Sequence, residues 1–338
     1  MGRLTMARCL VLLTILPVLG WSLQPTDGPS PLPKDTLPAK LPIDDIPLGL
    51  GSRPVPKDNP LTAERVQLGR KLFFDPILSA DRTLACASCH QPKHGMASAE
   101  ARPRGIRGQQ LPRRAPSLFN RAYGTSFFWD GRASSLEDQA LRPIEDPTEM
   151  GSSVPVVVQR LQADAVYAAQ FKAAFDDDVS AANLAKALAS FERVLLRGDS
   201  PVDRFRRKGD HSALTPQERS GLWLYESKGR CWRCHTGATF TDEGFHNTGV
   251  GWGKDPADPG RFAVTKKEAD RGKFRTPTLR GVGLASAYMH DGSLRTLEEV
   301  VAFYNRGGHA NPNLDPAMDP LGLSADEITD LIAFLKAL

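Results

Sequence analysis

At 338 residues the chain is long enough for two domains with cores of their own, and its apolar and charged fractions are those of a globular protein. A formal charge of +4 is too small to mark a nucleic-acid binder, which needs a concentrated basic face. Of the five cysteines four form two C-x-x-C pairs, and so tight a loop staples nothing distant, which argues against a disulfide framework.

Residues 1–22 read as an export signal or an N-terminal anchor. Arg3 and Arg8 make a basic start, and Cys9 to Gly20 is an apolar run broken by Pro17, too short to span a bilayer comfortably as a helix. Residues 23–56 form a Pro-rich linker with polyproline character. From Leu61 onward helical signals dominate: Thr62 is placed as an N-cap, and Leu68, Leu72 and Phe73 follow on one face. No alternating strand runs appear, so the fold class is mainly α. The stretches between helices are long and rich in Gly and Pro, and ordered loops of that length need something inside the domain to organise them.

The chain also repeats itself. Leu61-Thr62, Gly69 and Leu72-Phe73 lead to Cys86 as Leu214-Thr215, Gly221 and Leu224-Tyr225 lead to Cys231, and the two Cys pairs are 145 residues apart. Leu184, Leu188 and Phe191 lie on an amphipathic helix, as do Ile328, Ile332 and Leu335, at an offset of 144. The matches point to a duplicated unit of helix, C-x-x-C-H, long loops and closing helix. Two tandem domains are expected, 57–205 and 206–338, parted in the polar run from Asp203 to His211.

Both C-x-x-C pairs are followed by histidine, which is the attachment signature of c-type haem. The thiols of Cys86 and Cys89, and of Cys231 and Cys234, would become thioethers to two covalently bound haems, with His90 and His235 as iron ligands. A four-thiolate zinc site is the alternative use of two such pairs, but it needs no histidine after either. The opposite ligand of the second haem has the candidates His246, Met289, His290, Tyr304, His309 and Met318. Thr296 is placed as the N-cap of a helix through Asn305, which puts Leu297, Val300, Val301 and Tyr304 on one face. An inward Tyr304 reads, on spacing alone, as a packed core residue or as a ligand. In the first half His94 lies too near His90 to reach the other haem face. That face is open to a small oxidant unless Met96 or Met150 closes it.

Over residues 57–338 the chain resembles the bacterial di-haem cytochrome c peroxidase and MauG superfamily. The strings that carry the resemblance are Leu72-Phe73-Phe74-Asp75, the two C-x-x-C-H motifs, Arg114 to Leu118, Phe128-Trp129-Asp130-Gly131-Arg132, Glu137 to Ala140 and Asp146 to Gly151. In the second half they are Gly260 to Thr265, Thr276 to Arg280 and Tyr288-Met289-His290-Asp291-Gly292. The resemblance implies two tandem cytochrome c-like haem domains in a periplasmic oxidoreductase, the first peroxidatic and the second electron-transferring. Gln139 and Glu149 match distal-pocket positions, where Glu149 shuttles a proton between the peroxide oxygens, and Trp129 matches an electron relay between the haems. Tyr304 matches the distal ligand of the second haem, where peroxidases carry Met and MauG carries Tyr. A hard, anionic phenolate favours oxidised iron, whereas a thioether favours ferrous iron. The resemblance therefore implies use of hydrogen peroxide to oxidise a partner protein. A cytochrome c peroxidase drawing electrons from a small cytochrome or cupredoxin is the alternative, and a non-catalytic di-haem electron carrier is a third.

Some positions depart from the family. Arg114 stands where peroxidases carry an Asn that helps hold calcium between the domains, and Ala285 and Ala287 replace a nearby Thr and Pro. Gly229 stands where MauG has a surface Trp, leaving Trp223, Trp232 or Trp252 as other exits for electrons. Arg102, Arg104, Arg107, Arg113 and Arg114 make a basic loop, either a partner-docking surface or a solvated loop with some arginines facing haem propionates.

Overall fold

A capped helix opens each half. In the computed structural model, which describes residues 1–2, 32–39, 41 and 43–338, helix α1 (Ala63–Phe74) begins where the Thr62 hydroxyl accepts from the Arg65 amide. It stops at Asp75, whose carboxylate accepts from the Ile77 amide across Pro76. Apart from Met1 and Gly2, the residues read as an export segment, with Cys9, lie outside the described residues, as does the first part of the linker.

The helices that follow are α2 (Cys86–Cys89), α3 (Leu136–Glu145), α4 (Val154–Ala163), α5 (Ala165–Phe175) and α6 (Ala181–Arg193). The second half has α7 (Pro201–Lys208), α8 (Pro216–Glu226), α9 (Phe262–Thr265), α10 (Leu297–Asn305) and α11 (Ala325–Lys336). Capping boxes start α8, at Thr215 and Glu218, and α11, at Ser324 and Glu327. Among the described residues the only sheet is β1 (Phe245–His246) paired antiparallel with β2 (Phe274–Arg275), so the fold is mainly α as expected. No helix among them is long and apolar enough to cross a membrane.

Two large apolar cores form among the described residues, beside a small cluster of Phe127, Ala133, Leu136 and Ala189. One gathers Leu72, Phe73, Phe171, Leu184, Leu188 and Phe191, and the other Leu224, Tyr225, Val301, Leu331 and Phe334. In each, the opening helix crosses the closing helix so closely that only glycine fits. A Cβ on Gly69 of α1 would lie 2.0 Å from the Ala187 carbonyl oxygen of α6, and one on Gly221 of α8 would lie 2.0 Å from that of Asp330 on α11. These contacts set the register of the repeat: Ala187 and Phe191 correspond to Asp330 and Phe334, an offset of 143 rather than the 144 read from the apolar stripes.

A second repeat, at an offset of 161, organises the long loops. Arg114, Pro116, Leu118, Asp130 and Gly131 recur as Arg275, Pro277, Leu279, Asp291 and Gly292. The backbone repeats with them. Phe128 and Met289 both take positive φ (65° and 68°), and matching bridges join Phe127 to Ala133 and Tyr288 to Leu294. Matching N-caps, Ser135 and Thr296, start α3 and α10.

The two copies meet about a local two-fold relation. The Arg114 amide donates to the His290 carbonyl at 2.8 Å, and the Arg275 amide donates to the Trp129 carbonyl at 2.8 Å. Arg114 corresponds to Arg275 and Trp129 to His290, so the two bonds are reciprocal. Flanking them, Glu243 takes Arg121 at 2.7 Å and Arg275 at 3.1 Å, and Arg113 joins Asp130 at 2.6 Å to Asp258 at 2.7 Å.

Candidate active site

Helix α2 is a single turn whose two ends are Cys86 and Cys89, so both thiols leave the same side of the chain ahead of His90. The His90 Nδ1 lies 3.0 Å from the Met96 carbonyl oxygen, which only accepts; Nδ1 therefore carries the proton and Nε2 presents its lone pair. Burial lowers the His90 imidazole to about 4, so it is neutral at ordinary pH, as an iron ligand must be. His235 repeats the arrangement, with Nδ1 3.1 Å from the Phe240 carbonyl oxygen and its pKa lowered by burial. Burial pushes the thiols of Cys86, Cys89 and Cys231 up to about 12, and no disulfide closes either pair.

Among the described residues, the one group of His, Cys, Asp and Glu close enough to share an ion joins Cys234, Asp242 and His246. The four cysteines are not brought together, so the four-thiolate zinc alternative does not form. Paired thiols, a neutral imidazole with Nε2 free and an enclosing cavity fit a covalently attached haem instead.

That cavity, of about 870 Å³, runs from Cys86, Cys89 and His90 across the seam to His290 and Asp291. Gln139, Pro143, Glu149 and Trp129 line it. Burial, then the Asp146 carboxylate, pushes Glu149 up to about 7, with Arg132 opposing. Trp129 is buried, its Nε1 donating to the Arg114 carbonyl at 2.7 Å and its ring meeting His290 edge-on with centroids 6.5 Å apart. Met96 offers its carbonyl to His90 from behind the ring, and its side chain belongs to the first core, while Met150 reaches the cavity wall. His94 is not on that wall.

In the second half, the offset-161 repeat puts Tyr304 on α10 where α3 has Pro143. The equivalent positions thus offer a phenol in one half and no donor in the other. Burial, then the nearby Cys234 and Cys231 thiols, pushes the Tyr304 hydroxyl above its ordinary value, which places it beside the second C-x-x-C-H. The competing histidines are engaged elsewhere. His246 has Asp315 at 2.6 Å on Nδ1 and Asp242 at 2.9 Å on Nε2. His290 stacks on Phe274 with centroids 3.5 Å apart, and His309 stands edge-on to Phe303.

One site residue escaped the sequence reading. Glu192 lines the cavity with one carboxylate oxygen lacking a partner, and burial pushes it up to about 8. Its signal was its place eight residues after Leu184 and four after Leu188, a carboxylate on an apolar stripe. His290, read from the sequence as a candidate iron ligand, instead lies on the cavity wall against Trp129. Of the basic loop, Arg113 is bound into the seam, while Arg102 and Arg104 reach only local partners, Gln110 and the Gly108 carbonyl. Trp223 and Trp232 are 62% and 48% exposed, and Trp252 is half-buried.

The family described as di-haem cytochrome c peroxidase matches residues 63–212. The methylamine utilization protein MauG of Methylorubrum extorquens is 44% identical over 289 residues, covering 85% of this chain and 81% of that one. The cytochrome c551 peroxidase of Pseudomonas aeruginosa is 34% identical over 300 residues, covering 85% and 83%. Among solved structures, a MauG-like protein associated with microbial copper homeostasis superposes with a TM-score of 0.80 at 34% identity, over 87% of this chain and 94% of that one.

Proposed function

The chain belongs to the di-haem cytochrome c peroxidase and MauG family, and from that premise we propose that it uses hydrogen peroxide to oxidise a partner protein in the periplasm. It is an oxidoreductase with two covalently bound haem c groups. In this reading Cys86, Cys89 and His90 hold one haem in domain 57–205, and Cys231, Cys234, His235 and Tyr304 hold the other in domain 206–338. The bound haems supply redox-active iron that reacts with peroxide and holds oxidising equivalents.

The chain's own residues do the rest. Pro143, on the wall of the same cavity as His90, brings no ligating atom, which would leave room for peroxide. Glu149 would take a proton from one peroxide oxygen and return it to the other, so that when the O–O bond breaks that oxygen leaves as water, the two electrons being those the bound haems would supply; a carboxyl poised near 7 suits both transfers. The Gln139 side chain on the same wall orients the peroxide. Trp129, held by the Arg114 carbonyl and bracketed by the reciprocal bonds, keeps a fixed place between the sites as the relay.

The observation that carries partner oxidation over peroxide detoxification is Tyr304, because a phenolate steadies oxidised iron. Steady-state peroxide turnover with a reduced small cytochrome tests it. Slow turnover is expected; brisk turnover would favour the second reading, a cytochrome c peroxidase, which the Pseudomonas aeruginosa relative supports.

A further inference from the structure

The seam between the two halves holds a buried charge that none of the chemistry above uses. The Arg114 side chain is 6% exposed and forms no ion pair among the described residues. Its Nη2 reaches the Ser98 carbonyl at 3.4 Å, and its Nε is buried without a partner. Its repeat partner Arg275 is equally buried but shares Glu243 with Arg121. One position of the duplicated unit thus carries a neutralised guanidinium in the second half and a bare one in the first. Burial lowers Arg114 to about 10, which leaves it charged at neutral pH.

Carbonyls and a hydroxyl from both halves surround it. From the first half come the carbonyls of Ser98 and Ala99; from the second comes the Ser286 hydroxyl, which donates to both, at 3.1 Å and 2.6 Å. The neighbouring Ala285 carbonyl takes the Tyr288 hydroxyl at 3.3 Å. Calcium requires six to eight oxygens, usually with carboxylates among them. Here the carbonyls already have donors, no carboxylate is at hand, and a permanent positive charge stands among them. The residues do not fit calcium.

We propose that Arg114 is a built-in cation at the seam, doing permanently what an exchangeable calcium ion would do there, so that this chain joins its two haem sites without calcium. The carbonyl ligands of a metal become acceptors for a guanidinium and a hydroxyl. The backbone of the same arginine fixes the relay, its carbonyl holding Trp129 and its amide held by His290.

Elemental analysis of the purified di-haem protein after dialysis tests the proposal. Calcium far below one per chain is expected, with absorption spectrum and melting temperature unmoved by EGTA or by calcium at about 1 mM, the weak end of extracellular sites. One retained calcium per chain, or a spectrum that shifts with EGTA, overturns it. Arg114→Asn removes the charge and restores an amide oxygen: its melting temperature is expected to rise with added calcium where the wild type's does not. A folded variant indifferent to calcium also overturns the proposal, and should the variant not fold, the wild-type metal content decides alone.

Discussion

Replacing Glu149 by Gln removes the carboxyl assigned to proton transfer at the first site, one of two, with Glu192, that burial pushes up on the cavity wall. Its pKa stands at about 7 against an ordinary 4.5, a difference of about 2.5 units or roughly 3 kcal/mol against the ionised form. Only the carboxylate accepts the first proton. The second-order rate of peroxide reaction should therefore fall tenfold per pH unit below about 7, reaching roughly a hundredth of its plateau near pH 5. Glu149→Gln should abolish that slope and lower the plateau by about 10²- to 10⁴-fold. Stability moves the opposite way with pH. A raised carboxyl pKa means that the folded chain holds the proton more tightly, so folding stability falls as pH rises from 4.5 to about 7 and stays reduced above it. The Gln variant should escape that loss and unfold at higher denaturant at pH 8. Stopped-flow absorbance against peroxide concentration, from pH 5 to 8, measures the rate. A flat wild-type profile, or a Gln variant that keeps the slope, would refute the assignment of Glu149 as the proton shuttle.

Gly69→Ala and Gly221→Ala should each destabilise the half that contains it by about 2 kcal/mol or more, read as a lower melting temperature, because each Cβ would meet a helix carbonyl at 2.0 Å. Pro143→Met, which places a thioether where the other half has Tyr304, should convert the first haem to a low-spin form and suppress peroxide reactivity; unchanged reactivity would sink the equivalence of the two positions. Arg121→Ala should cost about 1.5–3 kcal/mol, since it removes a charge-assisted bond from Glu243 while Arg275 still pairs with that carboxylate, and chemical denaturation reads the loss directly.

The attachment chemistry and the helix starts were plain in the sequence because each depends on local spacing: two Cys-x-x-Cys-His runs, and Thr62 and Thr296 one residue before apolar stripes. The register of the closing helices was not. A slip of one residue turns a helix by about 100°, and an apolar stripe at least that wide still matches in part, so only the contacts at Gly69 and Gly221 select the offset of 143. The loop repeat was hidden for another reason. What it preserves is backbone, with positive φ at Phe128 and Met289 and N-caps at Ser135 and Thr296, while side chains that differ in chemistry have diverged, Trp129 against His290 and Pro143 against Tyr304. Arg114, visible only as a mismatch in the sequence, acquires meaning from its burial and its unpaired charge.

Resonance Raman spectra of the ferric protein, wild type beside Tyr304→Phe, bear most directly on a pair of haems with unlike outer faces. One high-spin haem beside one low-spin haem is predicted for the wild type, with the low-spin signature lost on removing the Tyr304 hydroxyl. Two low-spin haems, or a low-spin signal untouched by Tyr304→Phe, would contradict it.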